Sequence, residues 1–281
     1  MSVLGVDLGG TNVRAGLVEK NRLAKVVSSP INNLGAEKEV LNQIFSVVDP
    51  LIQKNLKGIG VGVPSVLDLK RGILYDVQNI PSWKRVPLKA YLEKRYQIPA
   101  YVNNDANCFA VGEKYFGRAK KYDQAVGLIV GTGLGAGIIA NGRLYSGINC
   151  GAGEFGMIPY KDHNYEYYCC GQFFKNVHHI SGKELYEKAK NQDADALQIF
   201  SEFGTHLGEA IKAILYATDP EIIILGGSVS KAFQFFRQAM WESVSQFAYS
   251  ITLKRIKIEV SRVRNIAILG AAALYYDAQA K

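Results

Sequence analysis

"GVDLGGTNVRAGLV" (residues 5–18) is the stretch from which the fold can be read. Residues 3–7 and 13–18 read as strands, and the turn between them carries Gly9, Gly10, Thr11 and Asn12. Glycine costs backbone entropy inside strands, and a buried aspartate is costly unless paired, so the turn needs a reason. Gly-rich turns let backbone N–H groups come close to phosphate oxygens. Asp7 ends the first strand where the turn begins. It reads either as a turn-capping aspartate or as an acid that holds a cation beside phosphates, directly or through water. Mg²⁺ suits the second role because it keeps several waters and uses few carboxylates. Thr11, Asn12 and Arg14 are placed to orient a transferring phosphoryl group, which the Arg fork matches in charge and shape. The turn is not a P-loop, because no GxxxxGK[ST] occurs. It is not a dinucleotide fingerprint either, since the chain after Gly10 continues as a strand rather than a helix.

The pattern restarts at "QAVGLIVGTGLGAGIIANGRL" (124–144), again strand, Gly-rich turn, strand and turn. Its "AGIIANGRL" echoes the earlier "AGLVEKNRL". Such a pseudo-repeat points to two related lobes. Between and beyond the turns, the apolar spacing predicts helices over 36–55 (interrupted at Pro50), 86–96, 106–117, 182–190, 193–217, 231–247 and 266–279. Strands are predicted at 58–66, 100–105, 221–227 and 253–261, and a loop-rich section at 145–180. Strands alternate with helices, so the class is α/β. The expected division is a first lobe over 1–104 and a larger second lobe over 105–265, with the closing helix (266–281) packing back on the first.

The chain has 281 residues, 48% hydrophobic and 21% charged, enough for a sizeable core. No run of about 18 apolar residues suggests a membrane span. The N-terminus shows no signal peptide, and Cys108, Cys150, Cys169 and Cys170 lack disulfide spacing, so a cytoplasmic location is expected. The net charge is +8, but the basic residues are scattered. The densest stretch, "LKRIKIEVSRVR" (253–264), alternates basic and apolar residues like a half-exposed edge strand.

Three further stretches carry candidate chemistry. "NNDAN" (103–107) sets Asp105 at a strand end before a helix, where it reads as an N-cap or as a base for a sugar hydroxyl, with the Asn run suiting a hydroxyl-rich ligand. "GAGEFGM" (151–157) places Glu154 among small residues, and "LGGSVS" (225–230) puts a Gly-Gly turn before a helix, a place for part of a nucleotide. "YYCCGQFFKNVHH" (167–179) gathers two Cys and two His, but adjacent Cys169–Cys170 and His178–His179 do not have structural-zinc spacing. A packed loop with ordinary cysteines is the expectation.

Together these stretches, with "GIGVGVPSVLDLKRGILYDVQNIPSW", "VNNDANCFAVGE", "DPEIIILGGSVS" and "NIAILGAAAL", resemble the ROK family of bacterial sugar kinases (glucokinase-like) in the actin-like ATPase superfamily. The resemblance runs from the first turn to the closing helix. It implies two actin-like (ribonuclease H-like) lobes, each a mixed sheet flanked by helices, with ATP and sugar meeting in a cleft between them. It also implies ATP-dependent phosphorylation of a hexose or N-acetylhexosamine, most often at the 6-OH, with Mg²⁺. By this resemblance Asp7, Gly9, Gly10 and Thr11 form the first phosphate loop, with Asn12 and Arg14 nearby and Asp7 on the metal side. Thr132, Gly133 and Gly135 match the second phosphate loop, and Gly226 and Gly227 the adenosine site. Asp105 matches the catalytic base. Asn104 and Glu154 match sugar contacts, and Pro64 and Asn79 the pocket wall.

The departures lie in one region. Met157 stands where the family has a His. In the family's zinc loop only Cys170 is kept, with Tyr168 and Lys175 at the other Cys positions and Val177 at the final Glu. No structural zinc is expected, and the sugar cannot be read off. The competing expectations are a sugar-binding pseudo-kinase and a sugar-responsive regulator. A repressor of this family carries a DNA-binding domain before the DxGGT segment, and six residues precede Asp7. No nucleic-acid or membrane partner is expected, and a homodimer is among the expected states.

Overall fold

The structure is a computed structural model that describes residues 1–280. In chain order the elements are β1 (Ser2–Leu8), β2 (Asn12–Glu19), β3 (Arg22–Pro30), α1 (Glu37–Val48), β4 (Leu56–Val63), β5 (Val66–Asp68), β6 (Ile73–Tyr75), β7 (Arg85–Val86), α2 (Leu88–Tyr96), β8 (Ala100–Asn104), α3 (Asp105–Phe116), β9 (Ala125–Val130), β10 (Leu134–Ala140) and β11 (Arg143–Tyr145). They continue with β12 (Pro159–Tyr160), β13 (His163–Asn164), α4 (Tyr165–Cys169), α5 (Gln172–His178), α6 (Gly182–Lys190), α7 (Ala194–Thr218), β14 (Ile222–Gly226), α8 (Phe233–Val244), α9 (Ser250–Arg255), β15 (Lys257–Val260) and α10 (Ile266–Gln279). The fold is α/β, with two mixed five-stranded sheets flanked by helices. The described residues form two compact units: 1–121 with 137–152 and 262–280, and 122–136 with 153–261.

In the first unit the sheet order is β3-β2-β1-β4-β8, with β1, β4 and β8 parallel and β1–β2–β3 an antiparallel meander. Strands β1 and β4 are buried almost throughout. Helices α1 and α2 contribute Val40, Leu41, Ile44, Leu88 and Leu92 to one core with them. Helix α10 packs against β1 and β4 so closely that a Cβ at Gly5 would lie 1.9 Å from the Ile268 carbonyl oxygen, and one at Gly60 1.8 Å from that of Ala271. Close backbone approach is therefore what these strand glycines permit. Helix α10 also packs along α3, where a Cβ at Gly270 would lie 2.0 Å from the Cys108 carbonyl oxygen. That contact groups α3 with the first unit, so the division does not fall at the expected 104/105. Of the expected closing helix 266–281, Lys281 lies outside the described residues.

In the second unit β9, β14 and β15 are parallel neighbours and β10 lies on the other side of β9. Helix α7, the longest, packs on α8, α4 and α6. No described helix is long and apolar enough to cross a membrane.

Several local readings change. Residues 22–30, not foreseen as a strand, form β3, because Lys20 (φ 48°) and Asn21 (φ 61°) make a two-residue hairpin turn. As an edge strand, β3 is mostly exposed and lacks a clean apolar alternation. The expected strand at 253–261 shortens to Lys257–Val260, since Ser250–Arg255 close the helix α9. The loop-rich 145–180 holds two short helices, α4 and α5, fixed by ring packing rather than by a periodic sequence.

Candidate functional site

The first unit gathers its candidates at the C-terminal ends of three parallel strands. Asp7 on β1 is in register with Gly62 on β4, and Val63 with Asn104 on β8. Pro64 follows β4, and Asp105 opens α3 directly after β8. Parallel strands feeding loops and helices at one end commonly build ligand sites there. The glycine turn closes on itself, with Gly9 N–H donating to the Asn12 carbonyl at 2.9 Å. Gly10 lies against Asn79, whose Cβ would be 3.1 Å from a Cβ at Gly10. Thr11 and Asn12 are exposed, and the Asn12 amide donates to Thr11 Oγ1 at 3.1 Å.

Arg14, opposite Asp7 in the β1–β2 register, donates to Asp7 Oδ2 through Nε at 3.1 Å and Nη2 at 2.5 Å. The expected phosphoryl-orienting Arg therefore holds the Asp7 carboxylate in this structure. Asp7 Oδ1 is the oxygen left for a hydrated cation, so the residue fits the Mg²⁺ role through water.

Asn104 is the N-cap of α3: its Oδ1 accepts the Ala106 N–H at 2.8 Å. Asp105 is exposed, with Oδ1 2.9 Å from the same N–H. The other two asparagines correct the ligand-facing reading of "NNDAN". Asn103 and Asn107 are buried, 6% and 1% exposed. Asn103 Oδ1 accepts from Asn104 N–H at 2.8 Å and Asn107 Nδ2 at 2.9 Å, while its Nδ2 donates to Ser146 Oγ at 3.1 Å. They brace the β8–α3 junction that presents Asp105. Burial first, then the Asp105 and Asp7 carboxylates, push the nearby Cys108 thiol well above its ordinary range, so it stays protonated.

The second unit builds around the other glycine turn. Gly131 N–H donates to the Gly133 carbonyl at 3.0 Å, and Gly171 N–H to the Gly131 carbonyl at 2.7 Å. Gly227, with φ 85°, follows Gly226 at the end of β14, and a Cβ there would lie 2.3 Å from the Val130 carbonyl oxygen. Thr132 is exposed on the turn, whereas Gly135 lies within β10 rather than in it. A cavity of about 650 Å³ opens beside Gly131 and Thr132. Lys175, Lys183 and Lys231 line it over an apolar floor that includes Tyr186 and Phe200, and no Asp or Glu does. None of the three lysines has an ion-pair partner among the described residues. Such a donor set fits a nucleotide, with an apolar face for the base and cations for phosphates.

Glu154 precedes a short 3-10 turn over Phe155–Met157, makes no side-chain capping bond to it, and is exposed. Partial burial of its carboxyl group and then the Glu166 carboxylate raise its pKa above the usual glutamate range. Sequence reasoning missed Glu166, which accepts the Leu134 N–H at 2.9 Å and touches the Gly133 turn. No motif marks it, because its partners stand 32 residues earlier.

An aromatic cluster packs the Cys-His stretch. Phe173, fully buried, meets Phe174, Phe203, His178 and His206 at ring-centroid distances of 5.7, 6.0, 5.1 and 5.6 Å. Tyr168, hydrogen-bonded to Asp162, lies 4.9 Å from His206. Cys169 and Cys170 are buried free thiols. No group of three or more His, Cys, Asp or Glu among the described residues has metal-site geometry.

The comparisons with known proteins agree with this architecture. The model of the ROK family matches residues 3–278. The chain is 27% identical to the glucokinase of Thermotoga maritima, over 98% of this chain and 97% of that protein. It is 26% identical to the xylose repressor of Caldicellulosiruptor bescii, over 97% of this chain and 77% of that one. Among solved structures, a ROK family glucokinase from Streptomyces griseus in complex with glucose and AMPPNP superposes with a TM-score of 0.81 at 25% identity, covering 98% of this chain and 99% of that one. With the family model spanning both units, the chain belongs to the ROK family.

Proposed function

We propose that this protein is an ATP-dependent sugar kinase that phosphorylates a hydroxyl of a hexose or N-acetylhexosamine, with the 6-OH as the expected position. The observation that carries the reading is Asp105, an exposed carboxylate held at the β8–α3 junction by buried Asn103 and capping Asn104, at the same strand ends as Asp7. The glucokinase relative supports the same reaction class.

In this reading Asp105 takes the proton of the acceptor hydroxyl as its oxygen attacks the γ-phosphorus of ATP in line. The new P–O bond forms as the bond to the β-phosphate oxygen breaks, and ADP leaves. Gly9 shapes the first turn, backbone N–H groups of Gly10, Thr11, Thr132 and Gly133 bind phosphate oxygens, and Gly226 and Gly227 adjoin the adenosine. Asn104, Glu154, Pro64 and Asn79 contact or wall the sugar. Mg²⁺, held through water by Asp7, would neutralise phosphate charge.

A coupled ADP-release assay across glucose, mannose, fructose, N-acetylglucosamine and N-acetylmannosamine tests the proposal. Asp105→Asn should lower kcat by about a hundredfold or more while sugar still binds. Near wild-type turnover in that variant would remove Asp105 as the base. The xylose repressor relative favours a second reading, a sugar-binding regulator without catalysis. Saturable sugar binding with no ADP release from any of the five sugars would select it.

A further inference from the structure

Glu166 joins two segments that sequence motifs singled out separately. Its Oε2 accepts the Leu134 N–H at 2.9 Å, just after the glycine turn, and a Cβ at Gly133 would lie 2.5 Å from that oxygen. On the other side, a Cβ at Gly156 of the "GAGEFGM" segment would lie 3.4 Å from the Glu166 Cβ. The side chain is thus clamped between the phosphate-type turn and the segment that carries Glu154. Its second oxygen, Oε1, makes no hydrogen bond, and no cation pairs with the carboxylate among the described residues.

The same side chain lines a cavity of about 480 Å³, together with Met157, Asn164, Tyr167, Gln172 and Asn176. Asn164, Tyr167, Gln172 and Asn176 offer amide and hydroxyl groups, the complement of a polyhydroxylated ligand, and Pro159, His163 and Cys170 complete the wall with Met157. Met157 itself makes no comparable hydrogen bond. A half-buried carboxylate with one oxygen fixed and the other open is a preorganised acceptor for an O–H donor.

We propose that Glu166 is a specificity-determining residue of the acceptor-sugar site, accepting a hydrogen bond from a sugar hydroxyl through Oε1. The proposal rests on the kinase reading for the nature of the ligand and assigns Glu166 the hydroxyl that Glu154 does not take. A charge-assisted hydrogen bond of this kind separates a sugar that has the hydroxyl from one that lacks it.

Glu166→Gln tests it, because the amide oxygen can still brace the Leu134 N–H while the charge is lost. Expected is a rise of about tenfold in the KM for the preferred sugar, with the KM for ATP changed less than about threefold and the melting temperature kept. A series of monodeoxy sugars adds a readout that a mere brace would not move. One analogue should bind poorly to the wild type and lose that handicap in Glu166→Gln. Equal handicaps in both proteins, or a change confined to the KM for ATP, would overturn the assignment. If the wild type turns over no sugar, the kinase reading fails separately, and calorimetric sugar binding to the two proteins decides. Weaker binding by Glu166→Gln upholds the role, whereas equal binding, or none by the wild type, overturns it.

Discussion

The two glycine turns look alike in sequence, yet they are held differently. The turn at 9–12 is closed by its own hairpin: Gly9 bonds Asn12, and Asp7 pairs with Arg14 across the same two strands. The turn at 131–133 is held from far along the chain, by Gly171, by Glu166 on α4 and by Gly227 after β14. Their charges also differ. The first carries a carboxylate matched to one guanidinium, and the second borders a cavity with three lysines and no lining acid. A local turn ties its chemistry to its own strands. A turn assembled from distant segments depends on the packing of the whole unit.

The sharpest way to break this contrast is Gly227→Ala. A side chain at φ 85° with a Cβ 2.3 Å from a backbone oxygen cannot be relieved by a rotamer change. It should cost about 3 kcal/mol in urea unfolding. Gly10→Ala meets only the Asn79 side chain at 3.1 Å, so its stability should change by less than about 1 kcal/mol. Equal losses in the two variants would erase the distinction.

Next in size is the charge contrast. Replacing Lys175, Lys183 and Lys231 together by Met should raise the KM for ATP about tenfold and flatten its dependence on salt. An unchanged salt slope would show that the lysines do not meet the phosphates. Arg14→Met tests the first turn. The Arg14 side chain is 41% exposed, so solvent screens the pair and stability should fall by about 1 kcal/mol or less, measured by thermal melting. A larger loss would mean that the hairpin needs the pair.

The smallest expected effect concerns pH. Glu154 has a raised pKa through burial and the Glu166 charge. If it must be ionised to accept a sugar hydroxyl, sugar affinity falls as pH drops through that raised value. Removing the neighbouring charge in Glu166→Gln lowers the Glu154 pKa, so the acid limb should move to lower pH in a pH series of the sugar KM. A limb that stays put would separate the two carboxylates.

Much of the fold was legible because it is local. Apolar runs around the first glycine turn, helical apolar spacing and a closing glycine marked β1, β2, α7 and α3 to within a residue or two, and Gly-Gly after an apolar strand marked the end of β14. β3 escaped because an exposed edge strand has no buried face to impose a pattern. Helices α4 and α5 escaped because short helices are fixed by ring packing around Phe173 rather than by periodicity. At the site, Asp7, Asp105 and both turns were visible as motifs, whereas the inward orientation of Asn103 and Asn107 was not.

The sequence by itself determined the two glycine turns, the acid at each critical strand or helix end, and membership of the ROK family. These depend on φ/ψ demands and on neighbours a few residues apart, which the order of residues dictates directly. Only the tertiary structure decided that Glu166 lies under Gly133, that Gly171 closes the second glycine turn, and that three lysines separated along the chain share one cavity. Those relations arise when distant segments pack against each other, and nothing in local backbone preference specifies which side chains then meet.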